Sequence, residues 1–251
     1  MDNLIFLVFA GVIAIVVTVL VLGYYAEKKR MEGMRAVAAR LGYGYVEQDV
    51  GLAGTLAGFG LLSRGHSHRA TNALSTEVDG ATAAVVDYRY EIGHGKHRQT
   101  YRQSVLLFES GRLNLPAFVL RPEGLGQKLA GLLGQQDIDF EHQPDFSAAY
   151  LLQGPDEQSI RALFGNETLA FFTRRPGLCI EGQRRRLLYY RAHKLVAPEA
   201  VAAFLEEGLA VLHLLAGKEA PPPATEPDPL AGLDEVLVDL GIEEGAAVGG
   251  E

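Results

Sequence analysis

The chain has 251 residues and a formal net charge of −8, and 48% of its residues are hydrophobic. Residues 218–251 carry nine acidic side chains and one basic side chain, so residues 1–217 hold 22 of each sign and are neutral overall. That balance argues against nucleic acid as a partner, because nucleic-acid binding needs a basic field that displaces counterions from phosphates, and the single cysteine, Cys179, excludes an internal disulfide.

The first predicted element is a membrane span. Residues 4–22, from Leu4 to Leu22, contain no charged side chain, and Thr18 is the one polar residue among them. At about 1.5 Å per helical residue, this run is roughly as long as the ~30 Å hydrocarbon core of a bilayer is thick. We therefore predict a transmembrane helix at 4–23 that contacts the lipid bilayer, preceded by a short external N-terminus at 1–3. No basic residue precedes the run, which argues against a cleaved signal peptide.

Basic residues determine the predicted orientation of this span. Lys28, Lys29, Arg30, Arg35 and Arg40 follow it closely, and nothing basic precedes it. The positive-inside rule then places the N-terminus outside and the rest of the chain in the cytoplasm. The sequence thus predicts a single-pass protein of the plasma membrane.

A membrane-proximal helix is predicted at 24–41. Met31, Met34, Val37 and Leu41 recur at helical spacing, and Gly42 follows them as a helix stop. From 42 to 217, strand patterns alternate with helix patterns, which predicts an α+β cytoplasmic domain of antiparallel β-hairpins with interspersed helices. Two similar halves, with a subdivision near 123–136, fit the same pattern.

The first half of this domain is predicted to be rich in strands. The segments YGYVEQDV and ATAAVVDYRYEI favour strands, and the second alternates between an apolar face and a solvent-exposed face with Asp87, Arg89 and Glu91. The loop GHGK joins it to HRQTYRQSVLLF in a β-hairpin. LPAFVLRPE is predicted as an edge-like strand and EGLGQKLAGLL as a short helix. GLAGTLAGFG lacks the GK[ST] of a phosphate-binding loop and is predicted to be a loop between packed elements.

The second half repeats the alternation in a different order. DIDF and AAYLLQG are predicted as strands, and PDEQSIRALFGNETLAFFTRR as helical with a break at Gly165-Asn166. GLCIEG and RRLLYYRAHKL are predicted to pair around Gly182-Gln183 in a second hairpin. A long helix with a buried apolar stripe follows, from near Pro198 to near Gly217.

The acidic C-terminal part divides into three predicted segments. Closely spaced prolines make 218–229 an extended Pro-rich acidic linker. Leu230, Leu233, Leu237 and Leu240 recur at helical spacing, so 230–242 is predicted as a short amphipathic acidic helix, and 243–251 as a disordered tail. So short a helix forms when docked, either on this chain or on an unknown protein partner. The alternative is an acidic tail that is disordered throughout.

Five segments carry a resemblance to a known family: DYRYEIGHGKHRQTYRQSV, LPAFVLRPE, DIDFEHQPDFSAAYLL, PDEQSIRALF and GLCIEGQRRRLLYYR, behind one N-terminal span. Together they resemble a family of bacterial single-pass membrane-anchored proteins to which no activity is assigned. The resemblance covers roughly residues 41–217. It implies a protein of the bacterial inner membrane and carries over no catalytic or binding residue.

Two clusters have residue types that hold metals. The first is a set of four histidines: His66, His68, His94 and His97. The second combines carboxylates with an imidazole: Asp137, Asp139, Glu141 and His142. Basic side chains flank the histidines and disfavour a dication, and neither an EF-hand spacing nor a HExxH pair is present. We therefore expect no metal or other cofactor and assign no catalytic residue.

An anion fits the first cluster better than a metal does. Its loops combine imidazole with lysine and arginine, which favours negatively charged ligands. The candidate anion-binding residues are Arg64, His66, His68, Arg69, Lys96, His97 and Arg98. The acidic C-terminal segment around Asp234 to Asp239 is one available anion, so we expect the tail to dock there or on a partner.

A second basic group surrounds the predicted hairpin of the second half. Its members are Arg174, Arg175, Arg184, Arg185 and Arg186. In a domain tethered to the membrane, such side chains can face anionic lipid headgroups. The alternative is a hairpin tip whose arginines are simply solvated.

Two classes of function remain. The sequence favours a membrane-tethered interaction or scaffold module without catalytic activity, acting through its surfaces and its acidic tail. The alternative is a metal-dependent enzyme that uses either the histidine cluster or the cluster at 137–142.

Overall fold

The structure, a computed structural model, describes residues 2–60, 62–125 and 137–217, with side chains from residue 9 onward. One helix, α1 (Asp2–Leu41), runs without interruption through the predicted span and the predicted membrane-proximal helix. It ends where the sequence predicts, because Gly42 has a φ of +71° that favours glycine. Most of the predicted helix EGLGQKLAGLL, and the three segments predicted within 218–251, lie outside the described residues.

Within the described residues, eight strands form one antiparallel sheet in the order β1-β2-β3-β4-β8-β7-β5-β6. The strands are β1 (Gly44–Gln48), β2 (His66–Val78), β3 (Ala81–Ile92), β4 (Gln99–Glu109), β5 (Leu115–Pro122), β6 (Tyr150–Gln153), β7 (Cys179–Arg184) and β8 (Arg186–Tyr190). The predicted α+β class and both predicted hairpins are confirmed.

In the part of the chain that the structure describes, five shorter α-helices accompany the sheet: α2 (Val50–Ala57), α3 (Pro144–Ala149), α4 (Glu157–Leu163), α5 (Asn166–Thr173) and α6 (Val201–Ala216). Asp49 caps α2 by accepting a hydrogen bond from the amide of Leu52 at 2.8 Å. Asp156 caps α4 through the amide of Ser159 at 3.0 Å. The helical segment predicted around Gly165-Asn166 breaks there into α4 and α5, as expected.

Helices cover both faces of the sheet. On one face, the C-terminal part of α1 packs with α3 to α6 around a core that includes Met34, Val85 and Phe108. On the other face, α2 packs over Tyr88 and Tyr190. Because β3 and β4 are covered on both sides, polar residues on either face of these strands become buried unless they reach the end of the sheet.

Several predicted elements are wrong. GLAGTLAGFG is mostly the helix α2, and the polar segment from His66 onward is the strand β2 rather than a solvated loop. DIDF forms no strand. Its contact with β6 is one backbone hydrogen bond, from the amide of Ile138 to the carbonyl of Leu152 at 2.9 Å, and this does not continue as a ladder. The strand β5 is not at an edge but lies between β7 and β6. It tolerates Pro116 in the interior because the register to β7 shifts between Leu115 and Phe118.

The second hairpin turns later than predicted. Gln183 still pairs with Arg186, so the turn consists of Arg184 and Arg185, with Arg184 at a φ of +53°. Gly182 lies inside β7 instead of in the turn. A Cβ there would collide with the ring of Phe118, so this glycine allows close packing and not a change of direction.

Candidate functional site

A cleft separates α1 from the strands β1 to β4 at the end of the sheet where the helix arrives. It encloses about 410 Å³. Its lining includes Tyr24, Arg30, Met31, Arg69, Arg89 and Leu195. We call it the anchor cleft, because it lies where the apolar helix joins the domain. It combines an apolar wall with several guanidinium groups.

The floor of the anchor cleft is an ion pair between α1 and β3. The Nε and Nη2 atoms of Arg30 each donate to a different carboxylate oxygen of Asp87, both at 2.6 Å. Asp87 also accepts from the amide of Asn72 at 2.9 Å and from the hydroxyl of Ser104 at 2.8 Å. Only 7% of Asp87 is exposed, so all of these bonds act in a partly dehydrated setting where a carboxylate needs its partners. We call this arrangement the clamp.

Neighbouring elements hold the clamp in place. Asn72 has a φ of +51° at a register shift between β2 and β3, and its side-chain oxygen accepts from Tyr45 of β1 at 2.9 Å. The hydroxyl of Ser104 accepts from the amide of Val196 at 2.9 Å. The clamp therefore joins α1, the first four strands and the segment before α6 through one hydrogen-bonded network.

The prediction that this face of β3 is exposed to solvent is therefore wrong. Asp87 and Glu91 are both buried. Asp87 lies under Arg30 of α1, and Glu91 lies beside Arg89 and Arg98. Glu91 lies 2.8 Å from Arg89 and 3.6 Å from Arg98, and the hydrogen bond from Arg89 is the main cause that lowers the pKa of its carboxyl. Sequence alternation alone did not reveal the clamp. The missed signal was Arg30, which lies at helical spacing from Met34, Val37 and Leu41 in the membrane-proximal helix.

The four histidines do not form one cluster. The Nε2 atom of His66 lies 2.9 Å from the carbonyl of Gly93, and its ring lies 4.8 Å from that of His94. His68 instead stacks on Tyr88 and contacts the hydroxyl of that residue through Nδ1 at 2.8 Å. Burial raises the pKa of Tyr88, so its hydroxyl keeps its proton.

Neither candidate metal cluster is assembled among the described residues. Within the described ranges, no group of three or more histidine, cysteine, aspartate or glutamate side chains could hold a metal ion. In the second cluster, His142 contacts Asn166 at 3.2 Å through its Nε2 atom. Burial, followed by the charge of Asp139, raises the pKa of Asp137. One carboxylate oxygen of Asp137 is buried without a hydrogen-bond partner among the described residues.

The candidate anion-binding residues do not lie together in one place. Arg69 lines the anchor cleft and is the register partner of Arg89 across β2 and β3. Lys96, His97 and Arg98 are exposed in the loop that joins β3 to β4. Arg64 is half-buried, and burial lowers the pKa of its guanidinium. The acidic segment predicted to dock here lies outside the described residues.

The five arginines of the second basic group lie at two sites. Arg175 stacks on Phe171 with its guanidinium carbon 3.9 Å from the ring centre. Arg184 and Arg185 form the exposed β7–β8 turn, and Arg186 pairs with Glu109 at 3.2 Å. Their contact with lipid stays a prediction.

A buried polar group that the sequence did not predict lies under α2. The hydroxyl of Tyr190 donates to Glu181 at 3.1 Å, and Cys179 is fully buried beside them. Burial and the charge of Glu181 raise the pKa of the Cys179 thiol to about 12. A cavity of about 170 Å³, lined partly by Glu181 and Phe118, opens nearby. A thiol with so high a pKa is a poor nucleophile.

Among the described residues, one helix is long and apolar enough to cross a membrane. It is the part of α1 from Phe9 to Leu41, and its most apolar stretch has no buried side chain. Exposed apolar side chains such as Phe9, Ile13 and Leu20 give this stretch an apolar surface on all sides. The finding rests on length and composition and agrees with the predicted span.

Comparison with known proteins gives a likeness of fold. No protein-family model matches the chain, and no curated protein matches it. A solved structure, the crystal structure of the mycobacterial trehalose monomycolate transport factor A, TtfA, is similar with a TM-score of 0.54 and 12% sequence identity. The similarity covers 76% of this chain and 97% of that one. At this identity the comparison establishes a shared fold and nothing about the ligand.

Proposed function

We propose that this chain is a membrane-tethered scaffold or accessory factor without catalytic activity, held in the bacterial inner membrane by α1. Its N-terminus lies outside and its α+β domain in the cytoplasm. The domain presents a surface to a partner protein within or beside the same membrane. The acidic segment 218–251 contributes to that contact, either by binding the partner or by covering the basic residues of the domain until the partner arrives.

The observation that supports this role most directly is the clamp. A domain that only needs to stay near a membrane can be attached to its anchor through a flexible linker. Here the helix that includes the apolar stretch continues unbroken into the domain, and Arg30 joins it to Asp87 by two 2.6 Å bonds. The domain is thereby held in a set orientation relative to its anchor. A scaffold that must align a partner in the plane of a membrane needs such an orientation.

The likeness to TtfA supports the class of role. That protein is described as a transport factor, and almost its whole chain matches the fold of this one. We extend to this chain a role as an accessory factor at a membrane. We do not infer that this chain shares the cargo of TtfA, because a shared fold at 12% identity carries no information on ligands.

The proposal is tested with the full chain in a bacterial membrane. Extraction with alkaline carbonate should leave the chain in the membrane pellet, and protease added to inverted vesicles should digest the domain. Cross-linking should then recover a membrane protein in a fixed ratio with the wild-type chain. The variant Asp87→Asn should lose that partner while remaining in the membrane, and the exposed control Arg40→Ala should keep it.

Three results would overturn the proposal. Carbonate could release the chain, which would exclude a spanning anchor. The domain could be protected in inverted vesicles and digested in intact spheroplasts, which would reverse the orientation. Purified protein could contain stoichiometric zinc or manganese that supports turnover, which would favour the metal-dependent enzyme.

A further inference from the structure

The contacts of α1 fix its direction relative to the sheet. Glu27 pairs with Arg102, and one helical turn later Arg30 bonds to Ser104 at 3.2 Å. The helix and β4 therefore advance in the same direction. The N-terminal, apolar part of α1 thus extends beyond the end of the sheet at which β4 begins.

The β3–β4 loop (residues 93–98) extends toward that apolar part. β4 begins at Gln99, three residues before Arg102, which corresponds to about 10 Å along a strand. The same distance equals about seven residues of helix. Seven residues before Glu27 is position 20, so the loop reaches the level of the last turns of the predicted span at 4–23. A lipid surface around α1 would meet this loop first.

The loop is basic and lacks acidic side chains. Lys96, His97 and Arg98 are exposed, and no acidic residue occurs in the sequence between Glu91 and Glu109. Arg98 keeps 59% of its side chain exposed although it lies 3.6 Å from Glu91. On the facing helix, Lys28 is also exposed. The exposed charge of this loop is complementary to anionic headgroups.

The loop is also held in a defined position. His66 contacts the carbonyl of Gly93 at 2.9 Å, and the amides of His97 and Arg98 donate to the carbonyls of His94 and Gly95 at 3.2 and 3.3 Å. Gly93 has a φ of +80°, and a Cβ there would approach the carbonyl of His97 to 2.6 Å. A loop fixed in this way presents its cations without a large entropic cost.

The other basic turn lies at the opposite end of the sheet. Arg186 pairs with Glu109 at the far end of β4, and Thr82 of β3 pairs with the same residue. Glu109 is nine residues from Thr100, or about 30 Å along the strand. Arg184 and Arg185 therefore lie on the side of the domain away from the apolar part of α1.

We infer that the β3–β4 loop is a lipid-binding site that rests on the anionic headgroups of the membrane in which α1 is anchored. Lys96 and Arg98 supply the main contacts, and the β7–β8 turn takes no part. The inference depends on the membrane anchoring given under the proposed function. Its consequence is that lipid composition, as well as the clamp, sets the orientation of the domain.

The test uses the full chain reconstituted in vesicles. A fluorophore is placed at Thr100→Cys, near the loop, or at Thr82→Cys, at the other end of the same hairpin. Cys179 is buried and stays unlabelled. Vesicles contain phosphatidylcholine alone or mixed with phosphatidylglycerol, together with a lipid that bears a nitroxide quencher on its headgroup. We expect quenching at position 100 in the anionic vesicles and none at position 82.

Matched variants identify the side chains that bind lipid. The double variant Lys96→Gln and Arg98→Gln should lower the ratio of bound to free loop about 25-fold, since each basic residue near an anionic surface contributes roughly fivefold. The control, Arg184→Gln with Arg185→Gln, should leave quenching at position 100 unchanged. Salt at 1 M, which shortens the Debye length to about 3 Å, should act like the loop variant.

The outcomes separate this inference from the anchoring on which it depends. If the chain does not float with the vesicles, the anchoring itself is wrong. If the chain floats but position 100 is unquenched, or equally quenched in neutral and anionic vesicles, the loop does not bind anionic headgroups. If position 82 is quenched and the Arg184–Arg185 variant abolishes that quenching, the β7–β8 turn is the lipid contact instead.

Discussion

Replacing Arg30 with alanine should lower the free energy of unfolding by about 2–3 kcal/mol, because it leaves the buried carboxylate of Asp87 without its counter-ion. Removing one partner of a buried ion pair costs about 3–5 kcal/mol in general. The smaller value applies here for two reasons. The side chain of Arg30 is 20% exposed, so water replaces part of its contribution, and Asn72 and Ser104 continue to donate to the carboxylate.

Thermal and urea unfolding of the full chain in detergent micelles, followed by circular dichroism, measures this loss. The matched control is Arg102→Ala, which removes the pair with Glu27 on the same helix face. That pair is 45% and 62% exposed and should contribute less than about 1 kcal/mol. A double-mutant cycle of Arg30→Ala and Asp87→Asn should give a coupling of at least about 1 kcal/mol. An Arg30→Ala variant no less stable than Arg102→Ala would refute the reasoning.

Three further predictions follow from buried groups. Cys179 should not react with a thiol reagent at pH 8 in the folded chain and should react fully after unfolding, because burial raises its pKa to about 12. Asp137→Asn should stabilise the chain by about half a kcal/mol at pH 7 but not at pH 3. A raised folded-state pKa favours folding below the unfolded pKa and loses that contribution as pH rises, and the exposed control Glu141→Gln should show no such pattern. Gly208→Ala should destabilise the folded chain by about 1–3 kcal/mol, since the added Cβ would collide with Leu106. In the control, Gly54→Ala, the added Cβ contacts no other atom, so this variant should be as stable as the wild type or more stable. Thermal unfolding measures both effects.

Elements whose periodicity is uninterrupted were predictable. The β3–β4 hairpin shows alternation on both strands, and its register from Thr82 to Ile92 has no shift. The end of α1 at Gly42 was predictable as well, because a glycine follows the last apolar residue at helical spacing. In these places local pattern and tertiary structure agree, so a single sequence is sufficient.

The elements that were missed have interrupted patterns. β2 contains Ser67 and Asn72 with positive φ and two register shifts, so its side chains do not alternate along its length. α2 is short and contains Gly51 and Gly54, which lower helix propensity, and its one strong signal is the cap at Asp49. Tertiary packing on β2 outweighs that weak propensity.

The same irregularity of β2 places Asn72 beside Asp87, and this explains why the candidate site was not predicted. Alternation assigns Asp87 to solvent, since nothing in β3 itself indicates a partner. The partner, Arg30, lies 57 residues earlier, in a basic run that sequence rules attribute to membrane orientation. The arginine thus has two roles that a single-sequence pattern cannot separate. As one of the cations that follow the predicted span, it contributes to the predicted orientation of the chain. As the guanidinium of the clamp, it joins α1 to the sheet, and in the proposed arrangement it directs the β3–β4 loop to the lipid surface.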